Sequence, residues 1–571
     1  MSKSILEKID LFLNTDAIIY ALKGVIASFL ALYIAMSFNL EKPIWAFLTA
    51  IFLHTRPETG FIVQKGTLKI LITIIATVIS TFILGTLLPY PSLAIAVLAL
   101  YMAIMTVFSS NLTNPNFVYA FTMANVTCVI IVFEVMGNAS SVTNFSIFKI
   151  LHARLIEIFI GTACASFVNY YIFPKKLVRK INADSKSCFE VAINLVNNIL
   201  DKDNLKYSEN IQSVLTKLVT IDNNLTGAKY EKINTSLYYD FIYKIIDLIK
   251  ETYILKKEIE STNNTLNINN LKEFINAYIK KATDNSQLDE LERNLLKKYS
   301  YNIKGFNKLL NSLILLIKSY NKTLNSRIPI TSNTIKFNKL SNYYNIATIS
   351  AVLFRSIILF IVATVIWIYT QGSSAETNMI IFAALFSQVI TPSPRPSNDI
   401  YRSIIGYIIA IPGAILTLNF LSQSMGYFEL LTLIGAIPFF IGFLFMYNYQ
   451  PFGLGFNTAT LVIIAPSNYM TYNIANSLTG ATACLTGIVL TWIMYSLIPG
   501  SYRKITQAIA TKAIKKDFRK FHSKQISQHV YTARITKKLL SVYQNQTYHD
   551  KLSSKNMAFS MKAFTYSPRA R

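Results

Sequence analysis

The sequence predicts an all-α fold: a polytopic membrane protein of two parallel six-helix transmembrane repeats, with a helical cytoplasmic domain between them and a basic cytoplasmic C-terminal segment. Three observations carry this prediction. The chain of 571 residues is 52% apolar and only 15% charged, with a mean hydropathy of +0.38, whereas an ordinary soluble protein carries about 25% charged residues. Its charges are segregated. Residues 175–346 hold 27 basic and 17 acidic side chains and residues 500–571 hold 16 and 2, leaving few for the rest of a chain whose formal charge is +26. The remaining stretches, 1–174 and 347–499, each contain six apolar runs, and a helix crosses hydrocarbon in about 20 such residues.

In the first block the runs lie near 17–38, 43–55, 67–88, 92–110, 117–136 and 151–173; in the second they lie near 350–370, 376–391, 402–420, 428–447, 455–470 and 475–498. Lipid offers the backbone no hydrogen-bond partner, so each run is expected to be a helix. The second run of each block is short. The first run is too long for a signal-peptide core and has no small-residue cleavage site, so it is expected to stay as a membrane helix. Residues 175–346 show helical spacing, as in Val191, Leu195 and Ile199, or Ile242, Ile245, Ile246, Ile249 and Tyr253. Their strongest apolar stretch, Leu309 to Ile317, is too short to span and is interrupted by Asn311 and Ser312. The Asn-rich patch from Ser261 to Asn270 reads as a loop between helices. The tail begins as a basic amphipathic helix at Arg503 and is expected to end in disorder.

Lysine and arginine in short loops favour the cytoplasm. Pro174 is followed by Lys175, Lys176, Arg179 and Lys180, and Pro499 by Arg503 and Lys504, so both blocks are expected to end inside. Six crossings return each block to its starting side, which puts both termini and the middle segment in the cytoplasm. The loops at 56–65 and 392–402, with Arg56, Lys65, Arg395 and Arg402, fall on that side too. Landmarks repeat between the blocks. Lys23 matches Arg355 and Lys69 matches Arg402 about 330 residues on, and Gly161 and Pro174 match Gly487 and Pro499 at a slightly smaller spacing. An even helix number makes the copies parallel, an arrangement that builds secondary transporters with a substrate path between the halves.

No GxxxxGK phosphate loop and no GxGxxG after a strand is present, and the tight pair Gly453 and Gly455 has no lysine beside it. Cys128, Cys164, Cys188 and Cys484 form no CxxC pair and are expected to fill apolar space, while His54 and His152 sit alone at membrane segments. Enzyme activity has no constellation to stand on, and no cofactor is expected.

What remains are ionisable groups in the membrane blocks, where charge is expensive and faces a cavity or a partner. Lys23, Lys69, Arg355 and Arg402 would stand as four cations around an inward mouth, a ring of the kind that favours anions. Alternatively, all four reach out to lipid phosphates and enforce topology. Arg154 and Glu157, three apart on one helix face, either form a structural ion pair or bind and release a proton as substrate passes. Glu134 is a further candidate for the proton role. Trp45, Trp367 and Trp492 read as packing or interface anchors, though an aromatic near a cationic mouth would also stack on an aromatic substrate. The basic excess has no nucleic-acid motif and points to anionic membrane lipid instead.

The stretch LEKPIWAFLTA from Leu40 to Ala50, followed by Pro57, Gly60 and KGTLKILIT from Lys65 to Thr73, resembles the first membrane module of the fusaric acid resistance (FUSC) and aromatic acid exporter family. RLIEIFIGTACA from Arg154 to Ala165, closing at Pro174, resembles the end of that module, and the duplicated six-helix blocks are similar too. Lys stands at 23 and 69 where the family usually has Arg, and Ile72 where a glycine normally precedes Thr73. The resemblance implies export of aromatic carboxylates or similar amphiphilic anions across a bacterial inner membrane, often with a separately encoded periplasmic adaptor. A further copy of the chain is another partner to expect. Three functions stay open: a proton-driven exporter, a passive anion channel like the family's plant relatives, and a membrane scaffold whose cytoplasmic helices bind a partner.

Overall fold

The computed structural model describes residues 14–566 apart from 56–57, 113, 138–142, 201–203, 229–230, 232, 262–303, 325–338, 372–373, 391–392, 394, 424–426, 471, 499–501 and 548–549. Arg56, Pro57, Pro499, the Asn-rich patch beyond Ser261 and the last five residues therefore lie outside the description. Every regular element among the described residues is an α-helix. The chain divides into two compact units, Met1–Lys176 with Thr348–Gly500, and Leu177–Ala347 with Ser501–Arg571.

The first unit contains α1 (Thr15–Ser37), α2 (Ile44–His54), α3 (Thr59–Leu87), α4 (Pro91–Ser110), α5 (Pro115–Met136) and α6 (Asn144–Tyr171). The second unit contributes α7 (Leu177–Leu200), α8 (Asn204–Ala228), α9 (Thr235–Ser261) and α10 (Lys304–Leu324). The chain then returns to the first with α11 (Ile346–Tyr369), α12 (Ser374–Ile390), α13 (Pro396–Gln423), α14 (Phe428–Asn448), α15 (Gln450–Ile464) and α16 (Ile474–Leu497). It closes in the second unit with α17 (Arg503–His522), α18 (Gln528–Gln544) and α19 (Lys551–Thr565).

Each apolar run is a helix, and nine helices among the described residues are long and apolar enough to cross a membrane, so the protein is a multi-pass membrane protein. The three remaining helices of the first unit, α2, α12 and α15, have 11, 17 and 15 residues. They are almost wholly buried, α2 from Ala46 to His54 without a break. A helix too short to span is tolerated where protein, not lipid, surrounds it. The run expected to reach residue 470 stops at Ile464 because Ala465 takes a left-handed conformation, φ 41°, and Pro466 cannot continue the helix.

The two blocks make matching internal contacts. Helix α2 packs on α6 as α12 packs on α16, and α3 on α5 as α13 on α15. The matched glycines perform one task. A Cβ on Gly161 would stand 2.4 Å from the Ala46 carbonyl oxygen, and one on Gly487 would stand 2.3 Å from that of Met379, so each lets a short helix press its backbone onto the last helix of its block. Between blocks, α1 meets α14 and α5 meets α12, around a core in which the Phe47 ring lies 5.2 Å from Phe29 and 4.6 Å from Phe439.

In the second unit, α7 pairs with α8, α9 with α10, and α17 with both α18 and α19. Ile242, Ile245, Ile246 and Ile249 are buried, as their spacing requires. The tail departs from expectation. Its last turns form α18 and α19, because Tyr531, Ile535, Leu539 and Val542 recur every three or four residues and bury one face. A buried ion pair, Lys537 to Asp222 at 2.8 Å, ties α18 to α8.

Candidate functional site

The interior helices of both blocks converge at one end. The N-terminal ends of α2 and α12 and the C-terminal ends of α5 and α15 surround a cavity of about 380 Å³, walled further by α6 and α16. It exists because the short helices stop where their longer neighbours continue.

Arg154 of α6 enters this cavity and lies on Trp45 of α2, its guanidinium carbon 4.1 Å from the ring centroid. It pairs with Glu134 at the end of α5, which also pairs with Lys42 in the loop before α2. A second guanidinium nitrogen stands 3.5 Å from Glu157 Oε2, while Glu157 Oε1 accepts the Lys42 backbone N–H at 2.9 Å. Two cations and two carboxylates thus form one network. Lys42, Glu134 and Arg154 line the cavity; Glu157, only 1% exposed, lies behind Arg154. The second block contributes neutral groups: Thr377, Asn378, Phe382 and Thr458. A guanidinium on an indole face presents a planar fork to a carboxylate beside a surface fit for a ring.

Trp45, Leu48 and Arg154 also border a smaller, deeper space of about 40 Å³ that ends at Lys69 of α3. Lys69 is buried, its Nζ 3.2 Å from Thr49 Oγ1 and 5.9 Å from the Tyr119 ring centroid. No carboxylate among the described residues forms an ion pair with it.

The four cations expected in one ring take different places. Lys69 lines the deeper space. Lys23 donates to the Phe173 carbonyl oxygen at 3.3 Å, just past the end of α6, and Arg355 donates to that of Ile498 at 2.7 Å, just past the end of α16. Both are buried, at 1% and 5% exposure, so neither reaches out to lipid headgroups. Each meets the unpaired carbonyls and negative dipole of the last helix of its block, just before Pro174 or Pro499. Arg402 is exposed on α13 and does not share the surroundings of Lys69.

Sequence reasoning missed three participants. No sequence motif singles out Lys42, Trp45 reads as a packing or interface anchor or a stacking aromatic, and nothing local shows that the two meet Arg154. Lys65, assigned to a loop, is buried in α3 and donates to Phe52 O at 2.8 Å and Thr55 Oγ1 at 3.0 Å, its ammonium 3.9 Å from the Tyr119 ring centroid. Its spacing of one helical turn from Lys69 was the available signal. Nor is His54 alone: its Nε2 lies 2.9 Å from Tyr20 O, Tyr20 donates its hydroxyl to His54 O at 2.9 Å, and Asn169 Nδ2 stands 3.2 Å from Nδ1. The four cysteines are buried and unpaired.

The chain matches the fusaric acid resistance protein family over residues 17–561. It is 23% identical over 527 residues, 85% of this chain and 76% of the relative, to the p-hydroxybenzoic acid efflux pump subunit AaeB of Shigella dysenteriae serotype 1 (strain Sd197). Proteins of the same name from Escherichia coli O1:K1 / APEC and Escherichia coli O139:H28 (strain E24377A / ETEC) match to the same extent. No solved structure matches the chain.

Proposed function

Because the chain belongs to the fusaric acid resistance protein family, we propose that it is an efflux transporter for aromatic carboxylates or similar amphiphilic organic anions, seated in a bacterial inner membrane and driven by the proton gradient. The observation that carries this reading is Arg154 lying on Trp45 inside a cavity shared by both blocks. The relatives' name, an efflux pump subunit for p-hydroxybenzoic acid, supports the substrate class and a partner protein such as a periplasmic adaptor. The equivalent contacts that Lys23 and Arg355, and Gly161 and Gly487, each make within their own block support two parallel repeats with the path between them.

In this reading Arg154 and Lys69 hold the acid group in turn, and Trp45 holds the ring. Glu157 and Glu134 are the carboxylates of the Arg154 network, so a proton exchanged during transport is taken by one of them. The basic clusters after α6 and α16 support a topology with both termini and the second unit in the cytoplasm. Lys23, Arg355 and Arg402 then add positive charge on the inner side, and the cavity with Lys42 and Glu134 opens outward.

The test is efflux of p-hydroxybenzoate from proteoliposomes with the membrane voltage clamped. Flux that stops when the proton gradient is collapsed supports the exporter. Flux that continues unchanged makes the protein a passive anion channel, a reading favoured by Lys69, which is buried and pairs with no carboxylate among the described residues.

A further inference from the structure

A larger cavity, about 900 Å³, lies in the second unit among α8, α9, α18 and α19. Three tyrosines form its aromatic wall, Tyr207, Tyr253 and Tyr543, with Met557 and Met561 beside them. The charges around it can be paired off. Lys257 pairs with Glu260 at 2.9 Å, and Asp550 with Lys504 at 3.1 Å. Glu209 and Lys551 stand exposed on the rim.

Lys256 remains. It is half-buried, has no carboxylate in ion-pair range among the described residues, and holds its ammonium 4.1 Å from the centroid of the Tyr207 ring. Burial lowers its pKa from the ordinary lysine value, against the opposing pull of the Glu260 carboxylate. One further lining group is unused: the Thr547 hydroxyl is buried without a hydrogen-bond partner, while the Tyr207 hydroxyl has that of Thr252 beside it. An unpartnered buried group of this kind calls for a ligand or an ordered water.

A cation resting on an aromatic face is the arrangement that Arg154 and Trp45 make in the membrane unit. A half-buried cation against a tyrosine face suits a planar ring bearing one acidic group, and the volume is at the upper end of the range for small-molecule sites. We infer that this cavity is a second binding site for aromatic acids, built from none of the membrane helices, and that it senses the class of molecule the membrane unit exports. The inference rests on the exporter reading for its ligand class.

Binding of radiolabelled p-hydroxybenzoate and of 1-hydroxy-2-naphthoate to the purified full-length chain tests it. A background carrying both Arg154→Gln and Lys69→Gln removes the membrane site. Residual binding there should weaken at least tenfold with Lys256→Gln, recover with Lys256→Arg, and be lost with Met557→Trp, which fills the space. Absence of residual binding, or residual binding that neither Lys256→Gln nor Met557→Trp alters, overturns the inference. The exporter reading fails separately, when Arg154→Gln leaves both flux and total binding unchanged.

Discussion

Arg154 touches a carboxylate on either side and an indole beneath it, which divides the consequences of changing its neighbours. Trp45→Leu keeps the ion pairs but removes the face on which a ring lies. Its expected effect is about a fivefold loss of efflux for aromatic acids and little change for aliphatic ones, since stacking on an aromatic contributes about 1 kcal/mol, read from competition assays. Glu157→Gln is expected to uncouple flux from the proton gradient, and transport that keeps its proton dependence assigns the role to Glu134 instead. Lys23→Ala and Arg355→Ala each strip a charge-assisted bond from a helix end, so each should cost about 1.5–3 kcal/mol of stability, seen as a lower melting temperature in detergent. Loss of export without such a drop would mean that these cations act on the anion itself. Intramembrane charges stand out against apolar sequence, so Arg154, Glu157 and Glu134 were legible. Lys42 and Trp45 were not, because their role depends on α2, α5 and α6 meeting in space.

Helix existence was readable because hydrocarbon forces every apolar run into one form, and each run here became a helix. Helix ends were less so. The end of α15 depends on a left-handed Ala465, and the helices of the tail depend on an apolar face that the count of 16 basic residues conceals. The pair Gly453 and Gly455, which suggested no chemistry, has a structural reason: a Cβ would stand 2.1 Å from the Met446 amide nitrogen on one side and 2.0 Å from the Ser403 carbonyl oxygen on the other. Helix α15 is wedged between α13 and α14 with no room for a methyl group. Gly455→Ala and Gly161→Ala are therefore expected to destabilise by about 1–3 kcal/mol through overpacking, measured by thermal unfolding of the purified protein. Gly85, which has open space around it, is the control and should tolerate alanine.

For the molecule as a whole, the charge-rich stretches coincide with the second compact unit, and the expected path between the halves anticipates the joining of the two blocks, though no local pattern encodes which helices meet, such as α1 against α14. Orientation is testable directly. Cysteine placed at Asn473 should react with an impermeant maleimide added outside intact cells, and cysteine at Lys176 should react only after lysis; the reverse pattern would invert the proposed topology. The short interior helices have an electrical consequence. In the proposed topology, water entering the 380 Å³ space would bring the potential of the outer phase inward as far as Arg154 and concentrate the field on the 40 Å³ neck between Trp45 and Lys69. Moving one elementary charge through the full drop is worth about 2.3 kcal/mol per 100 mV, and here much of that acts over a few side chains. A doubly charged acid should consequently feel voltage about twice as steeply as a singly charged one, at the step where it passes that neck.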